Sequence, residues 1–258
     1  MTAGRVDVVG TGPAGADWLS PETARILAAA EDLVGYPPYL RRVAASHHRC
    51  HASDNREEAA RAAQALDLAA AGRRVAVVSG GDPGIFAMAA ALCAALDRAG
   101  PDSPWQALGF AVHPGISALQ AAAARVGAPL GNDFCAISLS DNLKPWDVVA
   151  RRVQLAARAD FAMAFYNPRS RHRPWQLAEA LRLLRAEQAA DTPVVFAAAI
   201  GRDDEQLQIT RLGEADASAA DMRTLVLVGN SSSRVFHHGG RLQVYTPRDY
   251  PAAGATAE

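Results

Sequence analysis

The chain has 258 residues, 50% of them apolar and 21% charged, with a formal net charge of −1. That balance suits one large or two small globular domains, and excludes wholesale disorder and a global attraction to nucleic acid. No stretch reaches the roughly 18 apolar residues of a membrane helix.

Three cysteines, Cys50, Cys93 and Cys135, are odd in number and form no C-x-x-C pair, so neither a disulfide framework nor a zinc site is indicated. No charged-then-apolar leader precedes the first strand, and a reducing cytoplasm is the expected setting. Lys144 is the only lysine among 26 basic residues. Codon bias explains this, although arginine also suits bidentate pairing with acidic groups.

The first predicted strand, Val6-Asp7-Val8-Val9, runs into Gly10-Thr11-Gly12-Pro13-Ala14-Gly15. These glycines spell the dinucleotide pattern G-x-G-x-x-G, whose confirming context is an acid at the end of the second strand. Here Leu33-Val34 is followed by Gly35-Tyr36-Pro37-Pro38, with Glu31 and Asp32 before the run, so that context is missing. Between them Ser20-Pro21 predicts a capped helix reaching about Asp32. Ser53-Asp54-Asn55 predicts a second cap, for a helix ending at Gly72. A strand at Arg74–Ser79 then enters Gly80-Gly81-Asp82-Pro83-Gly84 and a helix from about Ile85 to Asp97. Neither glycine loop carries the Gly-Lys-Ser/Thr of a nucleoside-triphosphate site. Asp82 repels phosphate and favours a ligand offering donors, such as ribose hydroxyls or an ammonium group. An Asx turn is the structural alternative for Asp82.

A turn at Pro101–Pro104 and a strand near Ala107–Val112 lead to His113-Pro114-Gly115, where the domain boundary is placed: 1–113 and 114–258. An alanine-rich helix to Gly127 follows. The second domain has strands near Phe134–Ser140, Phe161–Tyr166, Val194–Ile200, Gln206–Arg211 and Thr224–Val228, with helices at Trp146–Ala159 and Trp175–Gln188. Its later strands are joined without helices, so its sheet should be mixed, whereas strand-loop-helix units make the first sheet mostly parallel. The expected class is therefore α/β, in two domains. His47-His48-x-Cys50-His51 packs four ligand types into five residues, too close to surround one ion; it reads as a polar connection, as does His237-His238, and no metal is expected. Trp146 and Trp175 read as core, and the tail from Pro247 as frayed.

The blocks Gly10-x-Gly12-Pro13, Gly35-Tyr36-x-x-Tyr39-Leu40, Ser79 to Phe86, Gly115-Ile116-Ser117-Ala118 with Gly127-Ala128-Pro129-Leu130, Ser138-Leu139-Ser140-Asp141-x-Leu143-x-Pro145-Trp146, Tyr166-Asn167-Pro168-Arg169-Ser170, Gly201-Arg202 with Glu205, and Asp221-Met222-x-Thr224 ending in Val228-Gly229-Asn230-Ser231 together resemble the tetrapyrrole methylases. One departure is Gly-Pro-Ala-Gly where the family has Gly-Pro-Gly. Ala14 takes a positive φ only at a cost, so either the loop is unstrained there or its turn lies at Gly15.

The resemblance implies the two-domain fold of that family, with S-adenosylmethionine bent in the cleft between the domains and S-adenosylhomocysteine as product. The positions it implies for the cofactor are Pro13, Gly80, Gly81, Asp82, Ile85, Ser117, Ala118, Tyr166, Asn167 and Gly201; for Ser117 a plain helix cap is the alternative. The implied reaction is methylation of C-17 of a corrinoid precursor, precorrin-3B, coupled to ring contraction. A cobalt-bearing precursor, a nicotinamide oxidoreductase and a non-catalytic pigment carrier are the rival readings. Contraction needs a general base and an acid or cation. Asp141 is the candidate base with His113 as the alternative, and Lys144 the acid or carboxylate partner. Arg169, Arg171 and Arg173 alternate after Tyr166-Asn167-Pro168, which in extended backbone puts all three on one side, toward substrate carboxylates or toward solvent. A homodimer and hand-over of product to a following enzyme are further implications.

Overall fold

The computed structural model describes residues 4–54 and 57–250, and divides into two compact units, Met1–Ala118 and Leu119–Glu258. Asn55 of the expected second cap and the tail beyond Tyr250 lie outside the described residues.

In the first unit, β1 (Arg5–Gly10) leads through the first glycine loop to α1 (Pro21–Ala29), whose N-terminus is capped by Ser20, its Oγ accepting from Thr23 N. α1 stops at Ala29 rather than near Asp32, because Asp32 already opens β2 (Asp32–Gly35). Then follow α2 (Pro37–Val43), β3 (Arg49–Ala52), α3 (Glu58–Ala70), β4 (Arg74–Ser79), α4 (Met88–Arg98) and β5 (Gly109–His113). The sheet is wholly parallel in the order β3-β2-β4-β1-β5. Strands buried on both faces read as unbroken apolar runs, as Val75–Val78 do. One face packs Val6, Val8, Val75 and Val77 against α3 and α4, and the other packs Val9, Ala76 and Val78 against Leu27 and Leu40.

Two local expectations fail here. Ser53 does not cap α3; its Oγ accepts from the buried Arg61, and the residue before α3 is Glu57, which makes no capping bond. α4 begins at Met88, not Ile85, since Phe86 sits at φ 53, outside helical space.

In the second unit, α5 (Ala118–Val126), which opens at the division itself, runs into β6 (Gly127–Ala128); then come β7 (Phe134–Ser138), α6 (Trp146–Arg158), β8 (Ala162–Tyr166), α7 (Gln176–Arg185), β9 (Pro193–Ala198), β10 (Gln206–Arg211), β11 (Thr224–Val228), β12 (Arg234–His238) and β13 (Arg241–Tyr245). The main sheet has the order β10-β9-β11-β8-β7, in which only β7–β8 is parallel. A second sheet, β12-β13-β6, is built on a hairpin turned by Gly239 and Gly240 at φ 56 and 73. The core gathers Phe165, Met163, Leu139, Leu177, Leu181 and Leu184 around α6 and α7, each worth about 1.5–3 kcal/mol relative to exposure. Trp146 packs against that core, but Trp175 is 45% exposed and meets Trp146 edge-on at 4.9 Å, so it is not a core residue. Among the described residues no helix is long and apolar enough to cross a membrane.

Candidate active site

In the first unit three loops leave the C-terminal ends of the neighbouring strands β4, β1 and β5, and they approach more closely than side chains permit. A Cβ on Gly10 would lie 2.6 Å from Gly115 N and 2.7 Å from Gly81 O, and one on Gly115 would lie 2.3 Å from Gly81 O. Gly12 and Gly81 exchange two backbone hydrogen bonds of 3.2 and 2.8 Å, with φ at +66° and +69°. The positive-φ turn of the first loop therefore lies at Gly12; Ala14 is unstrained, and Gly15 has φ −77°.

Asp82 makes the Asx turn, Oδ1 accepting from Gly84 N at 2.8 Å, and also stitches the second loop to the third, Oδ2 accepting from Gly115 N at 3.1 Å. Each carboxylate oxygen keeps a further lone pair. Ser117 is buried and Ala118 and Ile85 are half-buried; Gly81 has only backbone of residues 116–118 near its open side, at 3.9 Å. At Gly80 the space that a side chain would take is filled by the Tyr39 ring, 2.7 Å away. The fourth strand end, Gly35, carries no acid. Asp32 stands at the opposite, N-terminal end of β2, fully buried against Arg73 and His51, where it cannot serve a ribose at the carboxyl edge of the sheet.

His113 ends β5 with a buried ring, Nε2 pairing with Asp7 Oδ1 at 2.8 Å and Nδ1 with Glu22 Oε1 at 3.2 Å. Together with Arg5, Arg25 and Arg74 these groups line a cavity of about 400 Å³ under α1. Residues of the glycine loops do not line it.

In the second unit the ends of β7 and β8 are tied together. Ser138 Oγ accepts from Asn167 Nδ2 at 3.0 Å and from Ser140 N at 3.3 Å, and Tyr166 O accepts from Leu139 N. Asn167 is left-handed at φ 52, as is Ala199, two residues before Gly201 at φ 77. Such conformations just past the ends of β8 and β9, the two strands that flank β11, are stored strain of the kind found at binding sites. Tyr166 Oη accepts from Leu119 N in the first turn of α5. Gly201 N donates to Glu205, which also pairs with Arg125 at 3.0 Å.

Asp141 does not cap α6, whose first flanking residue, Pro145, has no side-chain bond. Instead both Asp141 oxygens accept from Gln176 Nε2 at 3.1 Å, and Gln176, buried at the start of α7, has no partner for its Oε1. Gln176 was invisible to sequence reasoning, because a glutamine inside a helix carries no motif; its single signal was a polar residue on the apolar side of α7. Lys144 is half-buried, and burial, then the like charge of Arg152, hold its ammonium below the usual lysine value. The three arginines are not in an extended segment. Ser170 and Arg173 bond to each other's backbone in a tight turn, which buries Arg173, its Nη1 on Asn167 O at 3.0 Å, and leaves Arg171 exposed. Arg169 is half-buried, with Nε on Pro174 O.

The polar cluster at 47–51 is consumed by structure: His48 bonds Ala45 N and Leu27 O, and His51 bonds Asp32. Among the described residues no three metal-ligating side chains converge.

The family model for tetrapyrrole (corrin/porphyrin) methylases matches residues 5–216. A precorrin-3B C(17)-methyltransferase of Sinorhizobium sp is 54% identical over 252 residues, 97% of this chain and 98% of that protein. The crystal structure of the methyltransferase CobJ superposes with a TM-score of 0.88 at 48% identity, over 95% of this chain and 100% of that one. A uroporphyrin-III C-methyltransferase of Thermus thermophilus, solved with S-adenosylhomocysteine, shares the fold at a TM-score of 0.67 and 20% identity, over 88% and 97%. With a family match across most of its length and near-complete mutual coverage by a relative above half identity, the chain belongs to the tetrapyrrole (corrin/porphyrin) methylases.

Proposed function

We propose that this protein transfers the methyl group of S-adenosylmethionine to C-17 of precorrin-3B and contracts the macrocycle to precorrin-4, in cobalt-free, cytoplasmic cobalamin biosynthesis. The 54% identity to a protein of that name over essentially both whole chains carries the reading. The donor supplies an electrophilic methyl on a sulfonium, and its departure as S-adenosylhomocysteine neutralises charge, so the protein contributes chiefly alignment. The loop residues Pro13, Gly81, Asp82, Ile85, Ser117 and Ala118, and in the second unit Tyr166, Asn167 and Gly201, are its proposed binding set. Asp82 fits a ligand with an ammonium or ribose hydroxyls, since its oxygens retain acceptor capacity after bonding Gly84 and Gly115. Gly80 serves the same site through its packing on Tyr39.

For contraction, a tertiary hydroxyl loses its proton as a carbon–carbon bond migrates, and the lactone leaves as a carboxylate. Asp141, oriented by Gln176, is the proposed acceptor of that proton, and Lys144, with its lowered pKa, the proposed partner of the departing carboxylate. His113 is the alternative base, but both its ring nitrogens already face carboxylates. Arg169 and Arg171 are proposed for the substrate's carboxylates; Arg173 instead braces Asn167. A homodimer and hand-over of the product complete the proposal.

Calorimetric titration with S-adenosylmethionine and, in parallel, reduced nicotinamide cofactor tests the donor. Saturable binding of the sulfonium, weakened about tenfold in Asp82→Ala, is expected. Precorrin-3B with and without bound cobalt then tests the acceptor, the cobalt-free pigment turning over. Nicotinamide binding, or pigment binding with no methyl transfer, overturns the reading.

A further inference from the structure

Both glycine loops of the first unit lean on one short helix. α2 starts with Pro37 and Pro38, whose fixed φ suits a first turn, and it presents Tyr39 and Arg42, three residues apart, on one face. Arg42 Nη1 donates to the carbonyls of Pro13 at 3.1 Å and Ala14 at 3.4 Å. Its guanidinium carbon lies 5.0 Å from the centre of the Tyr39 ring, a cation–π distance. The same ring stands where a Gly80 side chain would be, with Cε1 and Cζ each 2.7 Å from the Cβ position. Tyr36 steadies the ring edge-on at 5.6 Å.

One loop is thus held by its carbonyls and the other by contact with a ring, while the two exchange backbone bonds at Gly12 and Gly81. Peptide planes are rigid, so carbonyls of Pro13 and Ala14 turned to Arg42 aim the next two N–H groups to the opposite side. The clamp therefore sets the spacing of the two loops and the direction of the donors in the first.

We propose that Tyr39 and Arg42 are positioning residues for the methyl donor, holding the Pro13–Ala14 loop and the Gly80–Gly81 loop in the arrangement that the donor needs; this rests on the methyltransferase reading. A lysine at 42 keeps the charge but not the planar fork, and a phenylalanine at 39 keeps the ring.

The test is titration of S-adenosylmethionine into the unaltered chain, Arg42→Ala, Arg42→Lys, Tyr39→Ala, Tyr39→Phe, Gly80→Ala and the double variant Gly80→Ala with Tyr39→Ala, each checked for folding by circular dichroism. Arg42→Ala and Tyr39→Ala are expected to bind about tenfold more weakly, Arg42→Lys to fall between, and Tyr39→Phe to restore binding to within about twofold. Gly80→Ala drives a methyl into the ring. Removing the ring relieves it, so the double variant loses less than the product of the two single losses. In turnover, KM for the donor rises while kcat at saturation and KM for the pigment hold, a split that general destabilisation does not produce. Donor binding by the unaltered chain together with equal binding by folded Arg42→Ala and Tyr39→Ala overturns the clamp alone; should Arg42→Ala not fold, equal binding by Arg42→Lys and strictly multiplicative Gly80 and Tyr39 effects do so. Absence of donor binding by the unaltered chain overturns the methyltransferase reading and the clamp with it.

Discussion

Asp32 illustrates how one buried carboxylate separates two functional readings. Burial alone raises its pKa, but hydrogen bonds from His51 and Arg73, and the Arg73 charge, outweigh that and hold it below the ordinary carboxylate value. A depressed carboxylate adds stability that is present above the unfolded pKa of about 3.9 and is lost as pH falls through the lower folded value. Asp32→Asn is therefore expected to cost on the order of 2–3 kcal/mol at neutral pH, and to flatten the acid loss of stability below about pH 4. Urea unfolding across pH 2.5–7 measures both; a variant with the parent's acid slope would refute the assignment. The same residue precedes Leu33-Val34 in sequence, and its place at the N-terminal end of β2 is the physical reason that the first glycine loop lacks the acid of the dinucleotide pattern. Asn167 makes a second case. Held at φ 52 with Nδ2 on Ser138, it should tolerate glycine better than alanine, by about 1 kcal/mol in thermal unfolding, because only alanine adds left-handed strain to the lost bond.

Elements with strong periodicity or explicit caps were legible from sequence: β4, the Ser20 cap and the five main strands of the second unit. The missed ones were short or exposed. α2 has only seven residues, too few for a clear helical period, although Pro37 and Pro38 suit a first turn. β3 is almost wholly exposed, so it lacks the alternation that marks a half-buried strand. In the β12–β13 hairpin, His237-His238 reads as a polar connection, although Gly239-Gly240 between alternating apolar residues is a hairpin signal. The arginine loop failed differently, because alternation at 169, 171 and 173 has meaning only in extended backbone, and the Ser170–Arg173 pairing turns the chain. The hairpin yields its own prediction. Every residue of β12 is exposed, whereas every residue of β11 is buried. An edge hairpin with so little burial opens at small free-energy cost. Hydrogen exchange should therefore label Arg234–His238 at least about a hundredfold faster than Thr224–Val228. Comparable protection would mean that a partner surface covers the hairpin in solution.

At the scale of the whole molecule, the three thiols divide between two separately cored units and so report on each. Cys50 and Cys93 belong to the first unit and are exposed; Cys135 belongs to the second, on β7, and is half-buried beside its core. Burial pushes the Cys135 thiol up to about 11, which makes its thiolate about a hundredfold scarcer than an ordinary cysteine's at the same pH. Since only the thiolate attacks a disulfide reagent, the native protein should show two fast-reacting thiols and one slow one. The slow thiol should become fast only when the second unit's core opens. A urea titration read by Cys135 labelling therefore follows the second unit, while the acid sensitivity conferred by Asp32 belongs to the first. If Asp32→Asn shifts fast unfolding signals from the first unit and leaves the Cys135 transition in place, the units unfold independently; if both shift together, folding is cooperative across the chain. A third thiol reacting as fast as the other two in the native state would remove the basis for placing Cys135 against the core.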